Sequence, residues 1–459
     1  MSDKFNTLPL KAELLRNLED LKFNSMTPIQ KESLPLILEG SDIIAKAKTG
    51  SGKTAAFALG ILNKLILDQK EPQSLILCPT RELADQVAKE VRMLARALSN
   101  IKVVTICGGT AEFHQDRSLS YGAHIVVGTP GRVLKLLKKE TLNINKVTQF
   151  VLDEADRMLD MGFEKELREI ERYVPKERQS MLFSATFPYS IADLSKNIQT
   201  DAITVKVDTD HAKNIIDETF YELESHKDKN EALLSVLGKL KPQRFIVFCK
   251  TKQIADSVVK FLDRNNIIAA SIHGDVEQNE RTTVLEMFKN NSLSALVATD
   301  VAARGLDVKE LEAVINYDLP VDTEDYVHRI GRTGRAGLSG VAVSFLVEKE
   351  DYKLEKLSEY LERKVQTTSF NALDFTEKYD LLPPMDTMYI SGGKKNKLRP
   401  GDIVGALIGE AGLESDDIGN ILITNIVSYV AIKKEKIAEA IEKLNKGKIK
   451  SKKFKVGLA

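Results

Sequence analysis

The chain has 459 residues, 43% of them hydrophobic and 29% charged, with 66 Lys or Arg against 66 Asp or Glu. Such a length exceeds one ordinary core and suggests about three domains; no apolar run approaches the roughly 18 to 20 residues that span a bilayer, and the charged start MSDKFNTLPLKAELLRNLEDL lacks the apolar core of a secretory signal, so no membrane partner and a cytoplasmic address are expected. The neutral total hides an asymmetry, because residues 386–459 carry 14 Lys or Arg against 9 Asp or Glu, and a basic tail on an acidic body suits a polyanionic partner as readily as a plain lysine-rich surface.

In chain order, apolar strand-like runs alternate with helix-period segments from residue 40 to 350, the pattern of a parallel sheet covered on both faces. The strand candidates are SDIIAK, SLILCPT, VVTIC, HIVVGT, QFVLDEA and SMLFSAT, then TFYELE, RFIVFCKT, AASIHG, SALVATD, AVINYD and GVAVSFL. Two sheets accommodate them better than one. An internal echo supports the split: Cys78 in LILCPT and Cys249 in IVFCKT lie 171 residues apart, and Thr129 in IVVGTP and Thr299 in ALVATD lie 170 apart, as duplicated α/β units would place them. The expected domains are 1–205, a polar connector at 206–216, 217–350, a charged helix and loop at 351–385, and 386–459. The last reads strand, helix, strand, strand, helix, strand from MYISGG to KFKVGLA, which fits a ferredoxin-like βαββαβ fold. The three cysteines, Cys78, Cys107 and Cys249, have no metal-ligand spacing, and small buried thiols are expected.

Three runs carry chemistry. AKTGSGKT, between the strand run DIIAKA and the helix run TAAFALGILNKLI, is a glycine-rich turn in which Gly50 and Gly52 let the loop Ala47, Lys48, Thr49, Gly50, Ser51 and Gly52 converge on an anion at a helix start. Lys53 would reach the β and γ phosphates and Thr54 would offer a hydroxyl to Mg²⁺. FVLDEAD sets Asp153 at the carboxyl end of an apolar strand, where open α/β sheets bind ligands. Asp153 would hold Mg²⁺ through water, and Glu154 would orient and deprotonate an attacking water. HRIGRTGR presents Arg332 and Arg335, suited to the charge that spreads over a phosphoryl transition state. ATP and Mg²⁺ are thus the expected cofactors, and arginines supplied by the second half of the chain would make hydrolysis depend on closure.

With these runs in order over residues 5 to 345, the chain resembles the DEAD-box RNA helicases, which implies two tandem RecA-like parallel-sheet domains. KFNSMTPIQ resembles the family's Q motif, with Phe23 against adenine, Gln30 on its edge and Phe5 as the upstream aromatic; Lys22 and Met26 stand where glycine and proline are usual. The resemblance implies RNA-backbone contacts from Pro79, Thr80 and Arg81, from Gly108 and Gly109, from Thr129 and Arg132, and from Gln278, Arg281 and Thr299. It places Asp307 at the ATP ribose and gives Asp156, Ser184, Thr186 and His328 the coupling of hydrolysis to closure. The helix run GRVLKLLKK would act as a wedge on the duplex.

Residues 386–459 are similar to the RNA-recognition domain of the DbpA-type helicases in GGKKNKLRPGDIVGALIGEAGL, DIGNI, YVAI and NKGKIKSKKFKV. That resemblance implies tethering to a hairpin of 23S rRNA and work on pre-50S ribosomal particles. Tyr389 and Tyr429 make a thin stacking platform, so Lys394, Lys395, Lys397, Arg399, Lys452 and Lys453 are expected to carry recognition through shape and phosphate. The reading is an ATP-dependent RNA helicase, α/β with a C-terminal α+β RRM-like domain, acting as a monomer without a DNA substrate. An ATP-gated RNA clamp and a DNA-directed motor remain open rivals.

Overall fold

A computed structural model describes residues 3–47, 50–109, 112–186, 189–207, 216–303, 308, 311–334, 340–347, 350–370 and 378–459. They form two compact units, one on each side of residues 208–215. In the first, the strands β1 (Ile43–Lys46), β2 (Ser74–Leu77), β3 (Val103–Ile106), β4 (Ile125–Gly128), β5 (Gln149–Asp153), β6 (Gln179–Ser184) and β7 (Ile203–Lys206) build one parallel sheet in the order β3-β4-β2-β5-β6-β1-β7. SLIL, IVVG and QFVLD are buried at every position, as central strands covered on both faces must be. Covering helices supply apolar stripes. Arg81–Leu94 buries Leu83, Ala84, Val87, Ala88, Val91 and Leu94, and each such leucine or valine stabilises by ~1.5–3 kcal/mol.

The second unit repeats the plan with β8 (Ile216–Leu223), β9 (Phe245–Phe248), β10 (Ala269–Ile272), β11 (Ala295–Ala298), β12 (Ala313–Asn316), β13 (Gly340–Val347) and β14 (Thr367–Ser369), in the order β10-β11-β9-β12-β13-β8-β14. The echo in the sequence is therefore structural. Cys78 and Cys249 each follow the third strand of their sheet, and Thr129 and Thr299 each follow the second. Two strands escape sequence reasoning, and both are edges: Ile203–Lys206 buries only Val205, and Thr367–Ser369 buries nothing. An edge strand carries no obligatory apolar pattern.

The same unit holds a four-stranded antiparallel sheet of β15 (Met385–Ile390), β16 (Ile418–Ile423), β17 (Ser428–Lys433) and β18 (Val456–Leu458), in the order β16-β17-β15-β18. The helices Pro400–Gly409 and Ile437–Lys446 complete the βαββαβ series, with Met388, Ile390, Leu407, Val430, Ile432 and Leu444 in the core. Strand alternation turns Thr387 and Tyr429 to the other face. There Thr387 Oγ1 lies 2.8 Å from Ser292 Oγ and accepts Asn290 Nδ2 at 3.3 Å, while the Tyr429 hydroxyl lies 2.8 Å from Thr283 Oγ1. The sheet face thus docks on the helix Gln278–Lys289 and the turn behind it. The three cysteines are buried and none is in a disulfide, and burial pushes Cys107 up to about 12. Among the described residues no helix is long and apolar enough to cross a membrane.

Candidate functional site

The glycine loop leaves β1 as Ala47 donates its N–H to Ser184 C=O at 3.0 Å, extending the strand ladder by one residue. Gly52 then takes φ +93°, which costs residues bearing a Cβ roughly 1–2 kcal/mol, and a Cβ there would stand 2.5 Å from Gln30 Nε2. Lys53 opens the helix Lys53–Lys64, followed by Thr54. It is 6% exposed, and its Nζ has no hydrogen-bond partner. Asp153, ending β5, is 3% exposed with Oδ1 likewise unpartnered. Burial pushes its carboxyl up to about 7 against the pull of Lys53. Buried polar groups left short of partners are costly; a phosphate chain carrying a divalent cation would satisfy both. Lys48 and Thr49 lie outside the described residues.

Gln30 is engaged at both ends: Oε1 accepts the Thr27 N–H at 2.9 Å and Nε2 donates to Gly52 C=O at 3.0 Å. It ties the helix Pro28–Glu39 to the glycine loop, so the expected adenine contact would exchange one of these bonds. Phe23 meets the buried Phe5 edge to face, with ring centroids 6.4 Å apart. Lys22 adopts φ +60°, and the helix Ala12–Asp20 closes in a Schellman turn, Phe23 N–H to Leu18 C=O and Lys22 N–H to Glu19 C=O, each at 2.9 Å. Backbone bonds close this loop without the glycine.

Beyond β5, Glu154 holds φ +54° and ψ +53°, a left-handed conformation that persists in a glutamate only when the surroundings impose it. Asp156 Oδ2 accepts the Ala185 N–H at 3.1 Å, the Thr186 N–H at 2.9 Å and the Thr186 hydroxyl at 3.0 Å. Ser184 Oγ donates to Thr186 C=O at 2.6 Å. Asp156, Ser184 and Thr186 are therefore one hydrogen-bonded cluster.

The residues expected at RNA lie on the other side of β5. Thr80 follows β2 and caps its own helix, with Oγ1 accepting the Leu83 N–H at 3.3 Å, and Arg81 faces Asp85 at 3.6 Å. Gly108 and Gly109 follow β3 and are exposed; Thr129 and Arg132 follow β4. The lysines of the expected wedge helix are ion-paired: Lys135 and Lys139 both bond Glu112, holding its carboxyl down to about 2, and Lys138 meets Glu169 at 2.5 Å.

In the second unit Thr299 C=O accepts the N–H groups of Ala302 and Ala303 at 3.1 and 2.9 Å, and Arg281, one turn after Gln278, donates from Nη2 to Ala302 C=O at 2.6 Å. Arg281 and Thr299 thus share a corner. His328 lies on the helix Thr323–Ile330 and Arg332 just past it, its carbonyl taking the Leu311 N–H at 3.2 Å. Arg335 and Asp307 lie outside the described residues. Sequence reasoning passed over Arg329. This 3% exposed side chain grips Asp300 through Nε and Nη2 at 2.6 and 2.7 Å, donates from Nη1 to Asn316 Oδ1 at 3.0 Å and Asp318 C=O at 2.6 Å, and lies 4.8 Å above the Phe248 ring. The signal was an arginine on the buried stripe of Tyr326, Arg329 and Ile330.

In the tail Lys394, Lys395, Lys397, Arg399, Lys452 and Lys453 are all exposed. Their two loops adjoin, because Lys450 Nζ donates to Lys397 C=O at 2.8 Å and to Asp402 Oδ2 at 3.0 Å, and the Ser391 N–H donates to Lys455 C=O at 2.8 Å. Tyr429, weighed as a stacking residue, instead meets Thr283.

The DEAD/DEAH box helicase family matches residues 27–194, the helicase conserved C-terminal domain residues 228–337, and the DbpA RNA binding domain residues 387–458. The chain is 46% identical over 457 residues to the ATP-dependent RNA helicase DbpA of Escherichia coli (strain K12) and 37% identical over 477 residues to that of Bacillus subtilis (strain 168), each alignment covering 99% of both proteins. The structure of S. cerevisiae Dbp5 bound to RNA and ADP BeF3 matches with a TM-score of 0.73 at 33% identity, over 80% of this chain and 95% of that one. Mss116p bound to ssRNA and AMP-PNP matches with a TM-score of 0.73 at 27% identity, over 80% of each chain. The chain belongs to the DEAD-box ATP-dependent RNA helicases and, by its full-length relatives and its tail, to their DbpA type. Its activity is that of an RNA-stimulated ATPase and RNA helicase.

Proposed function

We propose that this helicase couples ATP binding and hydrolysis to local separation of short RNA duplexes while its C-terminal domain is tethered to a hairpin of 23S rRNA, and that it acts as a cytoplasmic monomer in assembly of the large ribosomal subunit. The observation that carries this reading is the strand order of the first sheet. The glycine loop, Asp153 and the Asp156–Thr186 cluster follow β1, β5 and β6, and the loops expected at RNA follow β2, β4 and β3, in one continuous row. Nucleotide and RNA would therefore be read by neighbouring strand ends of one rigid element.

In this reading Lys53 and the amides of the glycine loop take the phosphates, Phe23 and Gln30 the adenine, and Asp307 the ribose. The Thr54 hydroxyl and the Asp153 carboxylate, with an Oδ1 that no protein group satisfies, fit a hard divalent cation, and Mg²⁺ held there would neutralise charge on the phosphates. Glu154 orients and deprotonates the attacking water, and Arg332 and Arg335 stabilise the charge that spreads over the transition state. RNA is gripped by backbone contacts that do not read bases. Choice of RNA falls to the exposed lysines and Arg399 of the tail.

ATP turnover with an rRNA fragment bearing the hairpin, compared with unrelated RNA of equal length, tests the tether. The fragment should stimulate more strongly, and deletion of residues 386–459 should erase the difference. Equal stimulation by both RNAs in the intact enzyme would overturn it.

A further inference from the structure

We propose that Gln115 is a positioning residue that sets two RNA-facing loops of the first unit in one geometry. The proposal rests on the reading above, in which the Gly108–Gly109 loop and Arg132 hold the RNA backbone.

Gln115 lies on the helix Glu112–Ser120, where polarity is inverted. Phe113 is 68% exposed, whereas Gln115 is 5% exposed and is the residue this helix buries. Packing alone would place these two side chains the other way round. The amide uses both ends: Nε2 donates to Cys107 C=O at 2.7 Å, and Oε1 accepts from Arg132 Nη1 at 3.3 Å. One side chain thus joins the loop after β3 to the helix after β4.

The first bond has a directional consequence. Cys107 C=O and the Gly108 N–H share one planar trans peptide, so holding the carbonyl aims the Gly108 N–H in the opposite direction. Glycine at 108 adds no side chain to fix that plane. The second bond restricts the Arg132 guanidinium, whose donors form a rigid fork. Backbone contacts hold the two loops close: the Thr129 N–H donates to Ile106 C=O at 3.0 Å, and a Cβ on Gly128 would stand 2.5 Å from that same oxygen. Gln115 then sets orientation within a separation the strands have already fixed.

The test uses the full-length enzyme, with ATP turnover measured against RNA concentration. Gln115→Met keeps the volume and removes both bonds. The half-activating RNA concentration should rise about tenfold, the size of a lost buried hydrogen bond, while turnover at saturating RNA and KM for ATP stay within about twofold. In the double variant with Arg132→Met the rise should fall short of the product of the single rises. Should Gln115→Met fold poorly, Gln115→Glu, which keeps the acceptor and loses the donor to Cys107, carries the same expected rise. An unchanged half-activating concentration in the Gln115 variants, with Arg132→Met raising it, overturns the positioning role alone. No change in any variant, Arg132→Met included, overturns the RNA reading of these loops as well.

Discussion

Asp156 and Thr186 are joined twice, the Asp156 Oδ2 accepting both the amide N–H at 2.9 Å and the hydroxyl at 3.0 Å of Thr186. Asp156 follows β5, which lies between β2 and β6 in the sheet, and Thr186 follows β6, beside the strand that leads into the glycine loop. Thr186→Val keeps shape and the amide bond and removes the hydroxyl bond. Duplex unwinding should fall about tenfold while RNA-stimulated ATP turnover changes by less than about twofold. Parallel losses in the two assays would place this contact in hydrolysis itself.

Lys53 gives a prediction with opposite signs in two states. Its buried ammonium has no hydrogen-bond partner, so Lys53→Met should raise the stability of the nucleotide-free enzyme by about 1 kcal/mol. The same change should lower ATP affinity by roughly a hundredfold, because a charge-assisted phosphate contact is lost. Thermal unfolding with and without a non-hydrolysable ATP analogue reads both.

Asp153 supplies a pH dependence. Folding raises its ionisation from 3.8 to about 7, so the protonated carboxyl is favoured by the folded state. Its contribution to stability is full below about pH 4 and is lost as pH rises through about 7. Asp153→Asn stays neutral throughout. In urea titrations without nucleotide or metal the variant should gain on the parent enzyme between about pH 5 and about pH 8; a constant difference across that range would contradict the assignment.

Lys22 occupies the left-handed C′ position of a Schellman turn at φ +60°, where glycine carries no Cβ penalty. Lys22→Gly should stabilise the first unit by about 0.5–1 kcal/mol, some of the relief being offset by the greater freedom of glycine in the unfolded chain. A rise in Tm with unchanged KM for ATP is the expected result. A fall would mean that the Lys22 side chain holds the turn.

Thr387 has only 1% exposure in its contact with Ser292 and Asn290. Thr387→Val removes the shared hydroxyl and leaves buried partners short, a loss of about 1–3 kcal/mol. Hydrogen exchange should accelerate at Met385–Ile390 and Ser292, with the amides of β9 unchanged. Unaltered protection on both sides would show that the face docks by shape alone.

The legible parts of this protein were those whose chemistry is written over a few consecutive residues. A phosphate loop needs glycines and a lysine between a strand and a helix, and AKTGSGKT and FVLDEAD state their strand ends directly. The 170-residue and 171-residue echoes correctly announced two sheets of one plan. Illegible were contacts between distant residues of unremarkable type. Nothing in EFHQDRS marks Gln115 as the buried member and Phe113 as the exposed one. Nothing in SYVAIK tells that the Tyr429 hydroxyl meets Thr283, 146 positions earlier.

By itself the sequence determined that there would be parallel sheets with a glycine loop, an acidic strand end and an arginine-bearing run, and a small basic α+β tail, because hydrophobic period and motif spacing are local properties of a chain. Only the tertiary structure decided that β5 would lie between β6 and β2, with the strand of the glycine loop to one side and the strands that precede Thr80, Gly108 and Thr129 to the other, that Arg329 would clasp Asp300, and that the tail would turn its sheet face to Asn290 and Ser292. Strand order and side-chain pairing follow from where the chain returns, and that is set by the summed burial of whole helices and strands rather than by any short run of residues.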